Sequence, residues 1–242
     1  MTRFVGRWRR RLMISALATT LITMAGFGLT AASAQASGPC YYSGGTWFAD
    51  TCWGSPHWIK SFTEEYAVPK NPSKGGATFA IWGGLENGAG NTVLQGVLNW
   101  DGSSWSVYPE YQWSTKDYQG THISAAYNDT ITSTLTASSC SSSGACTWTE
   151  TVKDSRTGQT STSKPIGSDA VFTELLGGVL EIHSISGCIE LPASDHIAFR
   201  DLKVVDSTGT SPTPVFGPST PDPQCSMKVQ YSSTSADFIW TP

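Results

Sequence analysis

The sequence predicts an all-β chain folded as a two-sheet antiparallel β-sandwich of jelly-roll type. Three observations lead there. After the first 36 residues almost nothing has helical period, and short runs rich in Thr, Val, Ile, Tyr and Trp recur to the end. Clusters of Gly, Ser, Asn and Pro separate those runs, and no βαβ alternation is visible. A length of 242 residues with 39% apolar side chains suffices for one large β domain with a proper core.

The strands are expected in this order. Phe62–Val68 and Thr78–Gly83 come first, on either side of a Pro-, Lys- and Gly-rich connection. Thr92–Trp100 ends at an Asp101-Gly102 turn, and Tyr108–Trp113 and Ile123–Ala126 lead to Asn128-Asp129. Thr130–Ala137 and Thr147–Asp154 follow, the second closed by Thr157-Gly158. Gly178–Ile185 and His196–Val205 are late strands. Beyond a Pro-rich loop at 207–224 lie Met227–Ser233 and Asp237–Trp240.

Charge is scarce and uneven. Charged residues are 14% of the chain, which excludes coiled coils and charge-rich disordered tails. Arg3, Arg7, Arg9, Arg10 and Arg11 stand in the first eleven residues, whereas every acidic residue follows Ala36. Beyond that leader, ten basic groups face nineteen acidic ones, a formal net charge of −9. No basic cluster is left to neutralise phosphates, so nucleic acid is not an expected partner.

Residues 1–36 read as an export signal. An Arg-rich start precedes an uncharged stretch from Leu12 to Thr30, then the small-residue sites Ala32-Ser33-Ala34 and Ala34-Gln35-Ala36. Several arginines before an apolar run suit ordinary secretion and the twin-arginine route alike. The expected product is a secreted monomer with no stable membrane association. Its single β-sandwich domain would run over 37–242, with 37–59 as a Cys-containing N-terminal extension.

Six cysteines follow the leader: Cys40, Cys52, Cys140, Cys146, Cys188 and Cys225. An even count in an exported chain implies disulfides. Cys140 and Cys146 bracket Ser-Ser-Ser-Gly-Ala between strand-like runs, so they are expected to pair across a hairpin end. Cys40–Cys52 and Cys188–Cys225 then follow. C-x-x-C pairs are absent and the four histidines are scattered, so neither zinc nor any other cofactor is expected.

Familiar catalytic signatures are also absent, among them the G-x-S-x-G elbow, H-E-x-x-H, the Walker loop and the dinucleotide fingerprint. Ser161-x-x-Lys164 has a serine–lysine spacing but sits in a polar turn. Two strands carry polar residues where a covered sheet would bury apolar ones. In TVLQGVLNW, Val93, Gln95, Val97 and Asn99 share a face; in GGVLEIHSI, Val179, Glu181 and His183 do. Gln95 and Glu181 then either face solvent or need partners.

The stretch from about Tyr66 to Val205 resembles the glutamic peptidases, the eqolisin family of acid endopeptidases. Tyr66-Ala67-Val68-Pro69 is similar to the family's W-x-V-P strand, and Ala80-Ile81-Trp82-Gly83-Gly84-Leu85-Glu86 to its W-V-G-I-D-G segment. Thr92-Val93-Leu94-Gln95-Gly96-Val97 is similar to I-L-Q-x-G-V, and Tyr111-Gln112-Trp113 to Y-E-W. Thr157-Gly158-Gln159, Gly178-Val179-Leu180-Glu181 and Ile197-Ala198-Phe199 fall where the family has T-G-Q, W-I-V-E and V-T-F. Two departures stand out: Gly178 replaces tryptophan, and Glu86 stands for aspartate.

The resemblance implies a jelly-roll (concanavalin A-like) sandwich and an enzyme acting on polypeptides in acid. It makes Gln95 and Glu181 the catalytic pair, with Trp82 and Glu86 shaping the substrate site. Glu174 competes with Glu181, since Val171-Phe172-Thr173-Glu174 also ends an apolar run in glutamate. The chemistry suits these types. A carboxylate can take a proton from water and return it to a leaving amine, while an uncharged amide donates hydrogen bonds to a developing oxyanion at any pH. Two other readings stay open on the residues alone. One is a carbohydrate-active enzyme pairing Glu181 with Glu110 or Glu86; the other is a carbohydrate-binding module using its tryptophans.

Overall fold

The computed structural model describes residues 38–40, 46–113, 116–218 and 221–242, all within the compact unit Ala34–Pro242. The expected export signal at 1–36 lies outside the described residues. Seventeen strands are seen. They are β1 (Gly38–Pro39), β2 (Trp47–Gly54), β3 (Ile59–Ala67), β4 (Thr78–Asn87), β5 (Thr92–Trp100) and β6 (Trp105–Trp113). Next come β7 (Lys116–Gln119), β8 (Ile123–Ala125), β9 (Thr130–Ser138), β10 (Cys146–Asp154), β11 (Thr160–Thr162) and β12 (Ile166–Ser168). The last are β13 (Phe172–Ser184), β14 (His196–Asp206), β15 (Gly217–Pro218), β16 (Lys228–Ser232) and β17 (Ser235–Ile239).

They form two antiparallel sheets packed as a sandwich. The first runs β1-β2-β13-β4-β5-β6-β7, with β15 beside β2 and β8 beside β6. The second runs β11-β10-β9-β3-β14-β17-β16, with β12 beside β10. Between them lie Phe79, Ile81 and Leu85 of β4, Leu94 and Leu98 of β5, and, from the second sheet, Phe62, Leu135, Trp148, Phe199 and Phe238. Burying each such side chain contributes about 1.5–3 kcal/mol, which offsets the ordering of the chain.

The structure alters two sequence expectations. Residues 47–54, expected only within an N-terminal extension, form β2 inside the first sheet, paired with β13. WFADTCWG is buried on both faces, so it lacks the alternation that reveals a strand. The strand expected at Gly178 begins at Phe172 and is 13 residues long. Cys40–Cys52, Cys140–Cys146 and Cys188–Cys225 are the disulfides present.

The core is not wholly apolar. Glu64 lies between Phe62 and Tyr66 on the inward side of β3 and is fully buried. Its Oε1 accepts the Gly83 N–H at 3.0 Å, and a Cβ at Gly83 would lie 1.9 Å from its Oε2. Any larger residue there would have to displace the Glu64 carboxyl. Glu150 of β10 is buried too, with the Gln95 backbone N–H as the group that favours its charged form. Burial pushes both carboxyls well above the usual range, with the Gly83 N–H opposing it at Glu64.

Both groups therefore hold a proton more tightly folded than unfolded. Their contribution to stability is complete below the unfolded carboxyl range, near about 4.3, and is lost as pH rises through their raised folded values. Glu64→Gln and Glu150→Gln should each flatten the fall of the urea midpoint as pH rises above the unfolded carboxyl range. Midpoints as pH-dependent as those of the parent protein would remove these carboxyls as the cause.

Candidate active site

Directly opposed residues of an antiparallel pair point to the same side, so register alone assembles one face of the first sheet. Across β4 and β13, Ala80 opposes Glu181, Trp82 opposes Val179, Gly84 opposes Leu176, and Glu86 opposes Glu174. Across β4 and β5, Gly84 opposes Gln95 and Glu86 opposes Val93. Across β5 and β6, Gln95 opposes Glu110 and Val97 opposes Tyr108. All of these lie on the side away from the inter-sheet core, where Trp82, Val93, Val97, Tyr108, Leu176 and Val179 form a second apolar cluster.

Glu174 and Glu181 are an odd number of residues apart, and a regular strand would turn them to opposite faces. The register of β13 shifts between Leu176 and Val179, which returns both to one side. A close packing contact lies at the shift. A Cβ at Gly178 would lie 2.6 Å from the Phe199 ring, so the position where the resemblance has tryptophan is filled here from the second sheet.

Each predicted residue can now be placed. Glu181 is half-buried, and its Oε2 accepts from Trp82 Nε1 at 3.2 Å while its Oε1 accepts from Thr46 Oγ1 at 2.6 Å. Trp82 is buried, with Trp47 edge-on at 5.3 Å. The indole thus fixes the carboxylate from one side and Thr46 from the other. Gln95 is 5% exposed, and its Nε2 donates to Glu110 Oε2 at 2.8 Å. No hydrogen bond joins Gln95 to Glu181 among the described residues; the Val97–Trp82–Val179 row lies between them. Glu86 and Glu174 stand one row from Gln95 on the opposite flank.

Sequence reasoning gave Glu110 no part beside Gln95. Its Oε1 accepts from Gln119 Nε2 at 3.2 Å, and the same nitrogen reaches Asp117 Oδ2 at 3.1 Å. His122 Nε2 meets Gln119 Oε1 at 3.1 Å, and the His122 ring stacks on Tyr108 at 3.8 Å. Burial, joined by the hydrogen bond and charge of Asp117, pushes Glu110 up to about 8. Burial likewise raises Tyr108, with the charges of Glu110, Asp117 and Glu181 acting in the same sense. A signal for Glu110 did exist. The tight turn after Trp100 sets Trp105 opposite it, and counting back along the hairpin puts 110 opposite 95.

The face therefore combines an accessible carboxylate in a fixed orientation, a buried amide nearby, and apolar walls. Such a set can activate a water and stabilise an oxyanion. Among the described residues, the one grouping of possible ligands, Cys40, Cys52 and Glu174, includes both sulfurs of a disulfide.

No family model and no curated protein sequence matches the chain. Among solved structures it is similar to scytalidoglutamic peptidase with a peptide-based transition-state analogue, at TM-score 0.60 and 17% identity over 81% of this chain and 98% of that one. A second structure of that peptidase, with a transition-state analogue inhibitor, gives 0.61 and 16% over the same shares. The eqolisin SCP-B in complex with the tripeptide Ala-Ile-His gives 0.58 and 17%, again over 81% and 98%. The chain thus has the fold of the glutamic peptidases, over nearly the whole length of those chains.

Asp117 raises Glu110 both by sharing its carboxyl hydrogen bond and by its charge. Asp117→Asn removes both effects, so Glu110 should titrate lower, by about one pH unit. Carbon-detected NMR of labelled glutamates would read this directly. An unmoved or raised Glu110 would show burial alone to be responsible.

Proposed function

We propose that this chain is a secreted acid endopeptidase that hydrolyses peptide bonds by water attack, with Glu181 as general acid–base and Gln95 as the oxyanion donor. The observation that carries this reading is the Glu181 carboxylate, held by Trp82 and Thr46 on the same open face as Gln95. The glutamic-peptidase fold supports it, since proteins of that fold have been crystallised with peptide-based ligands. Three disulfides support an oxidising compartment outside the cytosol, and the Arg-rich leader supports export to it.

In this mechanism an extended polypeptide crosses the face with its scissile carbonyl between the two side chains. Glu181 takes a proton from a water whose oxygen bonds to the carbonyl carbon. Negative charge gathers on the carbonyl oxygen, where the Gln95 amide donates a hydrogen bond. Glu181 then gives its proton to the leaving nitrogen, and the C–N bond breaks. Trp82 and Thr46 keep the carboxylate aimed throughout, while Trp82 and Glu86 border the bound chain. Because one carboxyl serves as base and then acid, the rate falls on the alkaline side of its value in the complex.

Acid conditions also suit the rest of the molecule. When carboxylates protonate, few basic groups are left to repel one another.

Purified protein incubated with denatured protein from pH 2 to 8 should cleave it best in acid; an optimum above pH 8 would overturn the mechanism. On one peptide substrate, Glu181→Gln should abolish turnover at every pH, whereas Glu174→Gln should retain it. The reverse result would move the role to Glu174. Gln95→Glu replaces the amide donor by an ionisable group and should lose ~10²–10³ in kcat at the alkaline end of the range. It should keep a remnant at lower pH, where the new carboxyl is protonated and donates again.

A further inference from the structure

Gln95, Glu110, Gln119 and His122 form one continuous chain of side-chain hydrogen bonds, and the direction of every bond in it can be worked out from its exposed end. His122 meets Gln119 through Nε2, and with Gln119 turned so that Oε1 lies there and its Nε2 lies at two carboxyls, His122 is the donor. With its oxygen committed, Gln119 turns its Nε2 to two carboxyls, Asp117 Oδ2 at 3.1 Å and Glu110 Oε1 at 3.2 Å. Glu110 Oε1 is therefore an acceptor. When Glu110 carries a proton, Oε2 is the oxygen that can place it against the Gln95 amide, 2.8 Å away, with Asp117 sharing the carboxyl's surroundings.

The two ends of an amide have the same shape, so the neighbour's proton decides which end turns toward it. With Nε2 toward Glu110, Gln95 Oε1 is buried without a hydrogen-bond partner, an arrangement that costs about 1–3 kcal/mol. With Oε1 toward a protonated Glu110, that oxygen gains a donor and the NH2 takes the buried place that Oε1 leaves, where a reacting carbonyl would be its partner. We propose that Glu110 is a positioning residue: its carboxyl O–H donates to Gln95 Oε1 and so presents the Gln95 N–H groups to the reacting carbonyl. The proposal rests on the peptidase reading for its catalytic consequence, but not for the hydrogen bond itself.

The surroundings agree. Glu110 is buried, titrates up at about 8, and so holds its proton throughout the acid range. The other groups facing it are Asp117 and Gln119 on β7, Tyr108 on its own strand, and Glu150, which feels its charge from β10. None is a cation that would draw the proton off. Asp117 is the rival acceptor, but it is exposed and already receives the Gln119 amide.

Three variants and one spectrum test this. Glu110→Met fills the same space without a donor and should lower kcat ~10²-fold while KM stays within about twofold, as loss of an aligned oxyanion donor does. Glu110→Gln retains a carbonyl for Gln119 and an N–H for Gln95, and should restore most of that loss. Equal losses in both variants, or loss in neither, would overturn the proposal. Infrared spectra at pH 5, with glutamate carboxyls isotope-labelled, need no substrate. The protonated-carboxyl band that disappears in Glu110→Gln should shift further in Gln95→Met than in Asp117→Asn. A band that answers to Asp117 instead would overturn the assignment even if one variant fails to fold. A parent protein that cleaves nothing, yet shows the Gln95-sensitive band, would overturn the peptidase reading and leave the hydrogen bond standing.

Discussion

The packing of two phenylalanine rings against a backbone without side chains governs what the first sheet presents. Phe199 and Phe238 reach across the sandwich into the space over Gly178, Phe199 so closely that a Cβ there would lie 2.6 Å from its ring. The register of the strand slips at the same place, between Leu176 and Val179. That slip lets β13 run for 13 residues buried through its middle while showing Glu174, Leu176, Val179 and Glu181 on one side. Without it, either Glu174 or Glu181 would point into the hydrophobic core, where an unpaired carboxylate is far too costly. The site face thus depends on a contact made on the opposite side of the sheet.

The sandwich carries two populations of carboxyl that answer oppositely to pH. Glu64, Glu150 and Glu110 are raised by burial and are stable inside as neutral acids. Others are held charged by a basic partner that reaches the surface. Lys74 and Ser186 draw Glu190 down to about 2, and Arg156, whose Nη2 donates to Asp129 Oδ2 at 2.9 Å, lowers Asp129. Acid down to the range of these pairs leaves both populations satisfied. Alkali satisfies only the second, because the interior acids have no basic side chain with which to pair.

The same separation organises the site. Glu181 lies toward the open side with two donors fixing its oxygens, whereas Gln95 and Glu110 lie deeper, where a proton and an amide can be matched without competition from water. Trp82 connects the two regions. Its ring packs in the apolar cluster between the Gln95 and Glu181 rows, and its single N–H reaches the carboxylate. One side chain thus supplies both a wall and an orienting hydrogen bond.

Strand composition and turn residues were enough to determine the all-β class and most strands, because β-branched and aromatic runs between Gly, Asn and Asp record local backbone preferences. Period-two alternation also put Gln95 with Val93 and Val97, and Glu181 with Val179, since side-chain direction along a regular strand is a local property. Only the tertiary structure decided the rest. WFADTCWG does not alternate because it is covered on both sides, and the start of β13 at Phe172 is set by pairing with β2 and β4. The shared face of Glu174 and Glu181 rests on a bulge packed against distant rings. The partnership of Gln95 with Glu110, though countable along one hairpin, acquires meaning only from the burial that keeps Glu110 protonated. Burial is a property of the assembled sheets, and no window of sequence contains it.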